Sequence, residues 1–453
     1  MSNSRIRNIK DYLTGPGADI LPAIGILLFV LFIFTQRWFE LYLQVRAYQV
    51  LVVGLSLMLI LPAVSRRSKI KNQLAVMDLL WFIAIAVIII YIFLAGFSDY
   101  LSDLFYFTAG LAFLVLAKVR METYGKAFAL VKYAGLVYAA GSVAQYFFTE
   151  TFNRFIFNFT TDYSQESIAR LTERNYFPGF GFGRTPVAPG HITMAFGLIV
   201  LTWDKCKSKV LQYGDLLICL FLLFALIITG KRSILLWFIV ALPITYIALG
   251  QGKEVWLRAL KMIAALIFGF ALLILVLYLI DPPPFITRLY NLLRDVVTGG
   301  YPSSVDVRFR LYQFAWPLFL ENPLFGIGWH QFRELAPADH HVHNVYLQLL
   351  TEMGSFGFLV VMTPLIYCFG ATWRALKRLL GQSEAELVMW KKGLTYSIYY
   401  QSFFLLYCLS DNPFYELIFT LFYFVAISIT GSFLVFEKEQ LKGKLLCRRK
   451  QVR

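Results

Sequence analysis

Four of the five histidines fall in or beside residues 281–345: His330, His340, His341 and His343. An imidazole titrates near neutral pH, so each of these could take a proton from a hydroxyl group. The run Asp339-His-His-Val-His343 also admits a metal-binding reading. His341 and His343, two residues apart, would face the same way on an extended segment, and Asp339 could join them. Zinc sites usually draw three or four ligands, often two histidines four apart on a helix. No second ligand cluster lies nearby in sequence, so acid–base chemistry is the favoured reading and no metal site or cofactor is assigned. The cysteines (Cys206, Cys219, Cys368, Cys408 and Cys447) avoid both long loops and form no CxxC, which argues against a disulfide framework.

Arginines supply the other chemistry. Arg232 sits in Thr229-Gly-Lys-Arg-Ser233, a turn between two apolar runs, and Arg308 and Arg310 sit in Val307-Arg-Phe-Arg-Leu311. A guanidinium offers a planar donor fork that grips phosphate bidentately and stays charged at any working pH. Two helical steps separate Arg308 and Arg310 by about 200°, so both cannot serve one ligand if the segment is helical. Arg308 then shares its face with Tyr312, Ala315 and Phe319. The plainer alternative for each arginine is an interfacial anchor on lipid headgroups.

These residues must be carried by apolar elements, since 58% of the 453 residues are hydrophobic and only 15% charged. Runs such as 20–35, 47–65 and 79–97 contain no charge. About 20 such residues span a hydrocarbon core, where the backbone must bond to itself and forms helices. The pattern predicts an all-α integral membrane protein, one polytopic domain over 1–453 with about twelve spans. These are 20–35, 47–65, 77–97, 104–118, 126–148, 189–203, 211–229, 234–250, 259–280, 346–372, 393–410 and 414–436. The apolar run after Arg5, Arg7 and Lys10 continues as a span, so no cleavable signal is expected.

The net charge of +15 is distributed as membrane orientation requires rather than as a nucleic-acid surface. Of the 42 Lys and Arg residues, 28 fall in the tails and one alternating set of loops, and 13 in the opposite set. Both termini are therefore expected in the cytoplasm, which leaves 150–188 and 281–345 outside. The cytoplasmic set holds 17 Lys and 11 Arg, whereas the outer set holds twelve Arg and one Lys, Lys231. An outer surface rich in arginine suits a diphosphate-bearing ligand. Loops this long are usually functional or disordered, and the second is expected to be partly helical. Ile286, Leu289, Leu293 and Val296 are spaced for a surface helix over 285–297. Ser304 can cap a second helix running to about Asn322, before Pro323-Leu-Phe-Gly-Ile-Gly328 breaks it. A helix from Asn344 would place Gly354 and Gly357 on a small face open to another helix.

At these residues the sequence resembles the O-antigen ligase family and its relatives, the O-antigen polymerases. His343-Asn344, nine residues, Gly354, two residues and Gly357 match the family's outer histidine motif. Arg232 to Leu236 matches an Arg-x-x-x-Leu motif, although Lys231 stands where the family more often has Ser. Arg308, Tyr312 and Pro323–Gly328 match a third. The resemblance covers about 180–360 and implies a metal-independent glycosyltransferase of a bacterial inner membrane. Its donor would be an undecaprenyl-diphosphate-linked glycan and its acceptor a hydroxyl of lipid A-core or of another glycan, on the periplasmic side. It implies His343 as the base and Arg232 and Arg308 on the diphosphate. Arg184, Arg310, His341 and Asn344 are secondary candidates. A ligase is favoured over a polymerase. A flippase or transporter, which would need ionisable groups within the spans, finds only Lys132, Asp78 and Glu416.

Overall fold

The computed structural model describes residues 20–43, 47–66, 75–96, 100–119, 121–201, 208–250, 303–336, 340–382 and 384–451, with fragments between 255 and 275. The expected ninth span is thus described only in fragments, and the helix expected over 285–297 lies outside the described residues, as does Asp339. Among the described residues there are helices and no strands. The chain runs through α1 (Ile20–Leu43), α2 (Ala47–Arg66), α3 (Val76–Gly96), α4 (Leu101–Leu116) and α5 (Met121–Phe147). Two short helices follow, α6 (Thr149–Phe157) and α7 (Asp162–Glu173), then α8 (Val187–Leu201), α9 (Lys209–Ile228) and α10 (Arg232–Leu249). The last group is α11 (Ser303–Glu321), α12 (Gln331–Leu335), α13 (Val345–Arg378), α14 (Ala385–Tyr407) and α15 (Leu417–Gln451).

Among the described residues, α3, α5, α9, α10, α13 and Leu417–Lys438 of α15 are long and apolar enough to cross a membrane. Shorter apolar stretches occupy Ile20–Gln36, Val50–Leu61, Leu101–Leu116 and Val187–Leu201. Both long loops carry helices of their own. Residues 149–173 are largely helical, so the first is not a plain connector. The helix expected after Ser304 begins at Ser303, which puts Ser304 inside its first turn rather than at its cap.

α15 is the post of the bundle, since every residue from Leu417 to Phe433 is buried. A helix apolar on all sides is stable only when surrounded, and α15 packs against α4, α14 and α13. Three of its hydroxyls are met by neighbouring helices. Thr430 meets Thr372 at 2.7 Å, and Ser428 and Ser432 meet the Tyr124 hydroxyl. Asp78 is likewise accounted for by the buried Lys118, at 2.8 Å.

The helix opened by Asn344 is not regular at Gly354, and the small face admits a loop instead of a helix. Gly354 has φ 66° and ψ −174°, a conformation essentially confined to glycine. The kink frees backbone groups that the Pro323–Gly328 turn takes up. Ile327 and Gly328 donate to the carbonyls of Thr351 and Glu352, while Ser355 and Phe356 donate to those of Pro323 and Leu324, all at 2.8–3.1 Å. Tyr91 of α3 clamps the joint by donating to both Phe325 O and Met353 O at 3.0 Å. Non-helical backbone survives within a membrane bundle only where partners re-satisfy it. A Cβ on Gly354 would lie 2.3 Å from the Leu324 backbone. Gly354→Ala is therefore expected to lower both the folded yield and Tm, since the backbone strain alone costs about 1–3 kcal/mol. Gly370→Ala, in the regular part of α13 with only Arg374 Nη1 nearby at 3.5 Å, should leave both unchanged; thermal unfolding of the two purified variants checks this.

Candidate active site

The segment between α12 and α13 carries His340, His341 and His343, and three contacts fix its end. Asn344 caps α13 by accepting from Leu347 N at 3.1 Å. Val345 N donates to Cys408 O at 2.8 Å, tying the helix start to the turn between α14 and α15. Tyr312 of α11 donates to the His343 carbonyl at 3.4 Å. His343 itself has φ 59°, a left-handed conformation that costs a non-glycine residue roughly 1–2 kcal/mol. Such strain gathers at functional sites.

The α14–α15 turn delivers Asp411, whose Oδ1 lies 3.3 Å from His343 Nδ1. Its other oxygen receives Lys231 Nζ at 2.6 Å and the Tyr407 hydroxyl at 2.9 Å. Burial by itself would raise the Asp411 carboxyl, but the charges of Lys231 and His343 overcome it and hold the group well below the usual carboxylate range. Asp411 is therefore a fixed anion. With it accepting from Nδ1–H, the His343 lone pair lies on Nε2, and the side chain remains a third exposed. Lys231 immediately precedes Arg232, the first residue of α10, so the same carboxylate joins the arginine turn to the histidine.

Arg308 is half-buried on α11 and Arg310 is exposed, as their helical phase requires. Burial pushes the Tyr312 hydroxyl up while the Arg308 charge opposes it, and the same charge reaches Tyr407. Beyond Tyr312, an apolar groove of about 440 Å3 runs along Gln313, Trp316, Pro317 and Leu347.

A second set of groups surrounds a cavity of about 460 Å3. His341 Nδ1 accepts from Gln348 Nε2 at 2.9 Å, and Gln348 also donates to Glu352 Oε1 at 2.9 Å. Burial, aided by the positive groups around it, pushes the His341 imidazole down to about 3. His330, also left-handed at φ 60°, pairs with Asp103 Oδ2 at 2.7 Å. Burial would lower His330, yet the Asp103 hydrogen bond and the Glu352 charge prevail and the net shift is upward.

The cavity brings together Arg184, His341 and His343 among the residues expected from sequence; Arg232, Arg308, Arg310 and Asn344 are not on its wall. Among the described residues no group of three or more His, Cys, Asp or Glu side chains is arranged to hold a metal ion. Asp411 and Asp103 escape a reading that counts only cations. Asp103 lies in the first turn of α4 and Asp411 just after α14, both in short stretches between apolar runs that carry no Lys or Arg, and a carboxylate in such a stretch is the signal that finds them.

No curated protein matches the chain. The family model described as O-antigen ligase matches residues 217–362. That stretch holds Arg232, Arg308 and His343, while Asp103, Arg184 and Asp411 lie outside it. Over residues 217–362, about a third of its length, the chain is thus similar to the O-antigen ligase family.

Proposed function

We propose that the protein transfers a glycan from undecaprenyl diphosphate to a hydroxyl of lipid A-core, as an O-antigen ligase working without metal at the periplasmic face of a bacterial inner membrane. The reading rests on one observation above the rest: His343 is held by an ionised Asp411 that also binds Lys231, beside Arg232. His343 Nε2 takes the proton of the acceptor hydroxyl, and the oxygen attacks the anomeric carbon. The bond from that carbon to the phosphate oxygen breaks, and undecaprenyl diphosphate leaves with its electron pair. Arg232 and Arg308 meet the charge that develops there, a role fixed cations fill well in a site of low dielectric. The donor is already activated by its diphosphate, so neither a nucleotide nor a metal is required. The apolar groove beside Tyr312 suits the polyprenyl tail.

In this reading about twelve spans place both termini in the cytoplasm and the two long loops, 150–188 and 281–345, outside, following the cation distribution. Asp78, a residue that a transporter could use, is instead neutralised by Lys118. The test is reconstitution of the full chain in liposomes with carrier-linked glycan and lipid A-core, with and without chelator. Capped core in both cases is the expected result. Lengthened carrier-linked glycan in place of capped core would make the protein a polymerase, and loss of activity restored by added magnesium or zinc would overturn the metal-free mechanism.

A further inference from the structure

The cavity of about 460 Å3 has a chemistry that proton transfer at His343 does not use. Its size falls within the range of about 300–1,000 Å3 common to small-ligand sites. Two of its groups are left with hydrogen-bonding capacity. Asp103 Oδ2 accepts from both Trp329 Nε1, at 3.0 Å, and His330 Nε2. Among the described residues nothing bonds its Oδ1. His341 accepts at Nδ1 from Gln348, which makes Nε2 the protonated nitrogen, and no described residue receives that donor. Asp103 and His341 thus present a charged acceptor and a neutral donor, the pair that a sugar hydroxyl satisfies from both sides.

The walls fit the same ligand. Tyr100, Tyr106 and Tyr415 line the space. Tyr415 is pinned by donating to Glu352 Oε2 at 2.8 Å and by stacking on Trp329 at 5.0 Å. Tyr100 stacks on His330 at 4.9 Å with an interplanar angle of 3°. Aromatic faces beside carboxylate and imidazole groups suit the alternating C–H and O–H surfaces of a pyranose. The formal charges on the wall offset one another, Arg184 and Arg333 against Asp103 and Glu416, with Arg184 and Glu416 4.0 Å apart. A balanced wall is a poor diphosphate site and a good one for uncharged hydroxyls.

We infer that this cavity is a saccharide subsite in which Asp103 and His341 hold a pyranose ring, with His330 and Trp329 as positioning residues for Asp103. The inference rests on the glycan-transfer reading and names its specificity determinant. Asp103 lies outside the segment matched by the family, so this chain's N-terminal half contributes to which sugar is accepted. The ring belongs either to the donor glycan or to the acceptor core.

The test uses the full-length protein in nanodiscs, with two soluble saccharides: the repeat-unit oligosaccharide freed from its carrier, and the core oligosaccharide freed from lipid A. Calorimetry measures binding of each to wild type, Asp103→Asn and Ser102→Trp, and transfer kinetics are taken on the same samples. Asp103→Asn should weaken one saccharide about tenfold or more, the size of one charge-assisted hydrogen bond. The KM of the substrate carrying that saccharide should rise in step, with kcat within about threefold of wild type. The substrate affected identifies the source of the ring. Ser102→Trp, which fills the cavity from its wall and leaves the Asp103 carboxylate in the chain, should abolish the same binding and covers the case in which Asp103→Asn does not fold. Unchanged binding and KM in a folded Asp103→Asn or Ser102→Trp variant would overturn the subsite, as would a fall in kcat alone. A wild type that binds saccharide but transfers none would instead overturn the glycan-transfer reading.

Discussion

His343→Ala is expected to lower kcat by about 100- to 10,000-fold, the usual contribution of a positioned general base, while insertion and expression stay normal. The neighbouring His341 supplies the contrast. Its imidazole is pushed down to about 3, which makes it a poor proton acceptor at any working pH, and its Nδ1 is occupied by Gln348. His341→Ala should therefore act mainly on KM. His343 has the opposite environment, a third exposed, with Nδ1 turned to an anion that orients the ring. Single-turnover transfer by the two purified variants separates them. Near-normal transfer by His343→Ala together with loss in His341→Ala would move the base by two residues.

Arg232→Lys and Arg308→Lys should each slow transfer about 10- to 150-fold, although both keep the charge. Lysine lacks the bidentate fork, and one charge-assisted hydrogen bond is worth about 1.5–3 kcal/mol. An anchor on lipid headgroups needs only a long stem and a charge, so lysine would serve it equally well. Arg310→Lys is the internal control, since Arg310 is exposed while Arg308 is half-buried on the same helix. Lys231 sharpens the comparison. It already donates to Asp411 at 2.6 Å, so its charge is committed to the carboxylate. Full activity in both variants at matched expression would remove the diphosphate clamp from the mechanism.

The helical framework is legible in the sequence, and the candidate site residues are proposed from it, because each follows from a local signal. Apolar runs mark the helices, Asn344 before a periodic run marks a cap, and His343 and Arg232 stand at the ends of such runs. What the sequence hides is long-range. His343 and Asp411 are 68 residues apart, and His330 and Asp103 are 227 apart. Neither distance leaves a periodic trace. The kink at Gly354 was masked for a different reason: two glycines three apart look alike whether a helix or a loop approaches them. Only the neighbour decides, and here it is the backbone of Leu324 and Phe325.

Apart from the Tyr91 clamp and the glycines at 326 and 354, the joint between 323–328 and 351–356 is built from main-chain groups that any non-proline residue supplies. It is therefore tolerant of spelling and intolerant of length. Single-residue insertions or deletions on either side would put every partner out of register, whereas many side-chain changes would pass unnoticed. In recombination terms the two segments form one cassette with an unrelated stretch of chain spliced between them. A chimera that exchanges the histidine helix with that of another protein should keep its geometry only when the glycine turn travels with it.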